Sequence, residues 1–191
     1  MSAEPLAIPE VKLLTPPRFQ DTRGFFSETF SAAREAASGI AGPFVQDNHS
    51  LSVPRGTVRG LHLQLDPHAQ GKLVRCARGA IWDVAVDVRH GSPSYGRHVA
   101  AVLSAANWSQ LWVPAGFLHG FCTLEPDTEV IYKVTADYDR ASERGVVWDD
   151  PDLALPWPVE AGKAVLSDKD LVLPRLCDCP PWFAYRGPAG A

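Results

Sequence analysis

The chain has 191 residues, enough for one domain with a sizeable core and too few for two ordinary ones. Its formal net charge is −4, from 18 basic and 22 acidic residues, so no global basic excess attracts a nucleic-acid backbone, although a local cluster of Arg and Lys can still hold a diphosphate. No apolar run approaches the roughly 18 residues of a membrane span, no basic-then-apolar leader opens the chain, and Cys76, Cys122, Cys177 and Cys179 lack the paired spacing of a zinc ribbon, so a reduced, cytoplasmic protein with single thiols is expected.

In chain order, the first polar-rich segment is F-Q-D-T-R-G-F-F-S-E at 19–28, where Arg23 and Glu28 stand among Phe19, Phe25 and Phe26. Residues 31–38, S-A-A-R-E-A-A-S, are Ala-rich and followed by Gly39, which predicts a short helix. Strand signals dominate from there. Gln46-Asp47-Asn48 precedes R-G-L-H-L-Q at 59–64; a strand is expected over 72–76, and Gly79 turns the chain into I-W-D-V-A-V-D-V-R at 81–89. In that run Trp82, Val84, Val86 and Val88 share one face and Asp83, Ala85 and Asp87 the other, so the carboxylates either meet solvent or point into a polar cavity. Further short apolar runs occupy 99–103, 110–113, 121–124 and 129–134, and turn residues separate most of them. Many short strands with little helix predict an antiparallel sandwich or barrel, formed by residues 1–191 as one domain. Residues 177–191 have little pattern and are expected to form an irregular or frayed tail.

Several polar residues are costly for a plain scaffold. His62 and His119 each lie in a mostly apolar run with Gly nearby. Taken alone, His62 reads as a satisfied core histidine, but His62 and His119 together fit strands pointing into a cavity. An unperturbed histidine pKa of about 6.5 suits proton transfer near neutrality. Lys72 opens an apolar strand, where a lysine either extends to the rim or neutralises an anion in a pocket. P-A-G-F-L-H at 114–119 matches the P-x-G-x-x-H cupin motif, and His62-Leu63-Gln64 stands where metal-binding cupins carry H-x-H. Two histidines are one short of the three protein ligands of a typical catalytic zinc site.

These segments closely resemble the dTDP-4-dehydrorhamnose 3,5-epimerase family. The resemblance runs through F-x-D-x-R-G-x-F-x-E from Phe19 to Glu28, Q-x-N-x-S from Gln46, R-G-L-H-x-Q from Arg59 and Q-x-K-L-V-R from Gln70. It continues through D-V-A-V-D-V-R, G-S-P-S-Y-G, P-A-G-F-L-H-G-F, Y-K, W-D-D-P-D-L and L-S-D-K-D, covering about residues 10 to 175. Leu118 replaces the family's usual small residue, and the tail after Arg175 lies outside the shared pattern.

The resemblance implies a double-stranded β-helix (cupin, or jelly-roll) barrel with a few short helices and a metal-free, cofactor-free isomerase. It would convert dTDP-4-dehydro-6-deoxy-D-glucose to dTDP-4-dehydro-L-rhamnose, a precursor of cell-surface polysaccharide. His62 is implied as the base, Asp170 as its hydrogen-bond partner, Lys72 as the cation near the enolate and Tyr132 as the opposite-face acid. Phe19, Arg23, Glu28, Gln46, Asn48, Arg59, Lys72, His119, Glu143 and Lys169 are implied to contact the sugar nucleotide, and Tyr138 to stack on the thymine. Asp83 is implied to orient His119. A homodimer exchanging strands within about residues 1–30 is also implied, so Phe19 and the Arg23 segment would serve the neighbouring site. The alternatives are a single C3 or C5 epimerase, a metal-dependent cupin using His62 and His119, and a non-catalytic sugar-nucleotide binder.

Overall fold

A computed structural model describes residues 2–40 and 42–187. Two antiparallel sheets carry the architecture. The first holds β1 (Ser2–Pro5), β2 (Lys12–Thr15), β5 (Gln46–Ser52), β7 (Lys72–Arg78), β11 (Gln110–Val113) and β13 (Thr128–Val134) in the order β1-β2-β11-β7-β13-β5. The second is ordered β10-β8-β12-β6-β14, with β6 at Val58–Gln64, β8 at Ala80–Asp87, β10 at His98–Ser104, β12 at Phe117–Thr123 and β14 at Glu143–Gly145. A hairpin of β3 (Phe19–Asp21) and β4 (Gly24–Phe26) lies outside both sheets.

Alternation along the strands decides what faces the interior. Ile81 and Ala85 of β8 pack with Val74, Cys76, Leu111, Val113, Phe117, Phe121 and Val130 into one core cluster. Val84, Val86 and Val88 belong to a second cluster with Leu61, Leu63 and Leu118, against which Trp82 packs. The two-faced reading of 81–89 therefore holds, and Asp83 and Asp87 take the buried option. The strand breaks after Asp87, where the Asp87 carboxylate accepts from the Arg89 backbone N–H at 2.9 Å; Arg89–His90 then form a separate strand, β9.

The predicted helix is α1, Ala32–Ala37. It belongs to a segment that covers the outer face of the first sheet, where Phe30, Ile40 and Phe44 pack with Leu14, Leu73 and Trp112. A one-turn helix, α2 (Asp168–Leu171), was not anticipated from the sequence; the Ser167 side chain caps it.

The stretch from Cys177 has little regular structure, but as far as residue 187 it is not frayed. Phe183–Ala184 (β15) pair in parallel with β9, and Trp182 and Phe183 pack on the second core cluster. Arg89 fastens this stretch. Its guanidinium donates to both oxygens of fully buried Asp87, at 2.9 and 2.7 Å, and to Glu10 at 2.9 Å. It also lies 4.5 Å from the Phe117 ring centroid and 5.0 Å from that of Tyr185. Burial pushes the Asp87 carboxyl upward, but Arg89, Ser92 and Ser94 outweigh it and hold the group below the usual carboxylate range. Arg89→Met is expected to destabilise the protein by about 2 kcal/mol, because it removes charge-assisted hydrogen bonds from a buried carboxylate. Denaturant unfolding measures the loss, and limited proteolysis beyond Arg175 reports release of the tail.

Candidate active site

The interior is not filled to both ends. A cavity of about 560 Å³ is lined by residues of β5, β6, β7, β12, β13 and α2. A second recess of about 270 Å³ shares His62, Lys72 and Tyr132 with it and extends to Gln46, Asn48, Tyr138 and Glu143. Polar side chains, among them Arg59, His62, Lys72, His119, Tyr132 and Asp170, share the cavity wall with apolar ones such as Val58 and Phe121.

His62 on β6 and His119 on β12 are cross-strand partners, and the register slips between His119 and Phe121. Gly60 and Gly120 make this close approach possible. A Cβ on Gly60, at φ +128°, would lie 2.6 Å from the Gly120 Cα and 2.8 Å from the His119 carbonyl oxygen. On the other side of β6, a Cβ on Gly145 would lie 2.7 Å from the Leu61 oxygen and 3.1 Å from His62 Cδ2. The imidazole therefore sits in a niche cut by glycine. Gly145→Ala is expected to displace it and lower kcat by about 10²-fold, since misplacing a reacting group by about 1 Å costs that much. Steady-state kinetics on folded protein checks this, and an unchanged kcat would show that the niche is not required.

His62 Nε2 lies 2.6 Å from Asp170 Oδ1, which leaves Nδ1 as the nitrogen able to take a proton. Asp170, 3% exposed, is presented by α2, where its backbone N–H donates to Ser167 Oγ. Burial raises the Asp170 carboxyl, but the hydrogen bond and charge of His62, helped by Ser167 and Lys169, outweigh it and keep the pKa below the usual value. The carboxylate therefore stays ionised and can stabilise an imidazolium formed beside it.

Lys72 donates to the His62 carbonyl oxygen at 3.4 Å. Loss of water around the ammonium lowers its pKa to about 8; Lys169 adds to the shift, while Asp83 and Glu143 oppose it. Tyr132 is raised above the ordinary phenol value by burial and by Glu143, against Arg59, so near neutrality it keeps the proton a donor needs. His119 Nε2 lies 2.6 Å from Asp83 Oδ1, with Asp83 fully buried and its Oδ2 unpartnered.

The nucleotide-side candidates form a linked set. Gln46 donates to Asn48 Oδ1 at 2.8 Å, Tyr138 Oη donates to Glu143 Oε2 at 3.0 Å, and Lys169 Nζ donates to Glu143 Oε1 at 2.5 Å. Burial pushes the Glu143 carboxyl upward, but Lys169, Tyr138 and His62 outweigh it and hold it low. Arg59 donates to Ser52 Oγ and the Leu51 carbonyl and lines the main cavity.

Three sequence candidates do not reach the cavity of their own chain. Phe19 is 61% exposed on the β3–β4 hairpin, Arg23 pairs with Asp21, and Glu28 pairs with Arg34. Sequence reading also missed Ser167 as the cap that presents Asp170, and Gly145 as the floor of the His62 niche. For Ser167, a serine three residues before an aspartate was the available signal. Gln64 lines the second recess, but its amide is spent on backbone groups of His68, Asp137 and Asp139. Among the described residues, no cluster of three or more His, Cys, Asp or Glu side chains is placed to hold a metal ion.

Two facing antiparallel sheets with histidine–carboxylate pairs opening into the space between them define a cupin-type barrel. The chain belongs to the dTDP-4-dehydrorhamnose 3,5-epimerase family, whose sequence profile matches residues 5–178. It is 55% identical over 187 residues to a dTDP-4-dehydrorhamnose 3,5-epimerase of Sinorhizobium fredii, covering 97% of this chain and 94% of that protein. A Legionella pneumophila dTDP-6-deoxy-D-glucose-3,5-epimerase in complex with dTDP-4-keto-L-rhamnose superposes with a TM-score of 0.92 at 40% identity, covering 97% of this chain and 99% of that one. The Bacillus anthracis dTDP-4-dehydrorhamnose 3,5-epimerase, with TDP and PPi bound, gives a TM-score of 0.88 at 46% identity, covering 91% and 98%.

Proposed function

We propose that the chain acts as one cupin-like unit that converts dTDP-4-dehydro-6-deoxy-D-glucose to dTDP-4-dehydro-L-rhamnose. The observation that carries the reading is the His62–Asp170 pair opening onto a cavity shared with Lys72 and Tyr132. A proton alpha to the 4-keto group passes to His62 Nδ1, and Asp170 stabilises the resulting imidazolium. Negative charge develops on the ketone oxygen, where the ammonium of Lys72 offsets it. Tyr132 returns a proton to the opposite face of the carbanionic carbon, which inverts the centre. No step requires a metal or a cofactor.

Gln46, Asn48, Arg59, Glu143 and Lys169 hold the sugar nucleotide, and Tyr138 stacks on the base. Phe19, Arg23 and Glu28 complete the site of a second copy across a homodimer. Exposure of Phe19 and Phe26, at 61% and 69%, supports that role. A demonstrably monomeric form that kept full turnover would remove the homodimer from the account. No helix among the described residues is long and apolar enough to cross a membrane, and a cytoplasmic enzyme of dTDP-L-rhamnose biosynthesis is proposed.

Incubation with the 4-keto substrate in deuterium oxide tests the function. Label entering at both C3 and C5 is expected; label at one carbon would identify a single epimerase, and none would leave only a binder. Tyr132→Phe is expected to slow net epimerisation at least ~10²-fold, in line with removal of a general acid, while exchange of the first proton through His62 persists. Equal loss of exchange and epimerisation would take the acid role away from Tyr132.

A further inference from the structure

Tyr138 is 55% exposed, yet the backbone beneath it is among the most tightly held in the site. Three glutamine side chains hold residues 136–139. Gln70 Nε2 donates to the Ala136 carbonyl at 2.7 Å, Gln64 Nε2 to the Asp137 carbonyl at 3.1 Å, and the N–H groups of Tyr138 and Asp139 donate to Gln46 Oε1 and Gln64 Oε1 at 3.0 and 2.8 Å. Gln64 also donates to the His68 carbonyl at 2.7 Å, which joins this segment to the turn that follows β6.

Gln64 is the centre of this arrangement. It is 4% exposed, so water cannot replace a bond it loses. Of the polar side chains, a primary amide supplies two donors and a carbonyl acceptor at one tip, and all are used here. A histidine at this position, as in metal-binding cupins, has only two ring nitrogens and could not serve all three backbone groups. We propose that Gln64 is a positioning residue for nucleotide recognition: it fixes the backbone on both sides of Tyr138, so that the exposed ring waits in the orientation that stacks on the nucleoside base. This rests on the reading that Tyr138 faces the base of a thymidine diphosphate. Fixing the ring in advance lowers the ordering cost of binding without touching the reacting carbons, so affinity and not chemistry depends on it.

The test is calorimetric titration with TDP, together with steady-state kinetics, on the full chain. Gln64→Leu is expected to weaken TDP binding about tenfold and to raise KM with little change in kcat. Gln64→Glu keeps the side-chain shape and the acceptor for Asp139 while turning a carboxylate toward two carbonyls. It is expected to give the same pattern, and it serves if the leucine variant folds poorly. In a Tyr138→Ala background, Gln64→Leu is expected to cost no further TDP affinity, because the effect passes through the ring; a purely structural role would cost the same in both backgrounds. A fall in kcat at unchanged KM, or additive losses in the double variant, overturns the proposal. If Tyr138→Ala weakens TDP binding and neither Gln64 variant does, this inference alone falls. If the wild-type protein does not bind TDP, the underlying functional reading falls with it.

Discussion

Replacement of His62 by alanine is expected to remove turnover and solvent deuterium exchange at both carbons, a loss on the order of 10⁴-fold. Both inversions begin with removal of a proton alpha to the ketone, and His62, the more exposed of the two cavity histidines, has its Nε2 held by an ionised aspartate while Nδ1 remains able to accept. The alanine variant also strands Asp170, a 3% exposed carboxylate that loses its principal partner. His62→Gln, which retains a donor toward Asp170, separates catalysis from folding: it should stay folded and still fail to exchange. Asp170→Asn is expected to reduce the rate by at least ~10²-fold, because an amide cannot stabilise the imidazolium and offers a donor where the ring donates. Wild-type exchange in either His62 variant would eliminate the mechanism, whatever the binding data showed.

Lys72→Met is expected to lower kcat by about 10²–10³-fold, the range for loss of one fixed stabiliser of a developing oxyanion. It is also expected to raise the melting temperature at pH 7. Partial burial of the ammonium beside the cavity brings its pKa down to about 8. Below pH 8 the folded and unfolded chains both carry the charge, and the folded state bears the full desolvation cost. Between about 8 and the unfolded value of ~10.4, the folded chain has released the proton while the unfolded chain keeps it, so stability rises with pH across that window. The stability advantage of the methionine variant should therefore shrink above pH 8. Activity runs the opposite way: if the enolate needs the ammonium, wild-type kcat/KM falls as pH rises through about 8. A kcat/KM level from pH 7 to 9.5, or a methionine variant with wild-type kcat, would remove Lys72 from the chemistry.

The family and the kind of barrel were legible in the sequence because both reside in local pattern. Alternation in 81–89 assigned Asp83 and Asp87 to one face of a strand, and P-A-G-F-L-H with R-G-L-H named the two histidines that face each other. The same pattern could not say whether that face met solvent, since alternation is identical for a strand turned either way. Only the first sheet closing over β8 made it the interior. The short helix at 32–37 followed from alanine content, whereas α2 did not, because four residues are too few to carry a helical period.

What the tertiary structure alone decided is where distant residues meet. His62 and Asp170 lie 108 positions apart, and no local preference sets the 2.6 Å between them; the packing of α2 against β6 does. Arg89 holds a tail that has no pattern of its own, and Gln64 holds a loop more than 70 residues away. Packing likewise left Phe19, Arg23 and Glu28 outside their own chain's cavity, although their motif was plain in the sequence. The sequence by itself determined the family, which polar side chains stand within apolar runs, and which faces they share. Closure of the barrel, through contacts that gain nothing until the chain has folded, decided which of them became neighbours.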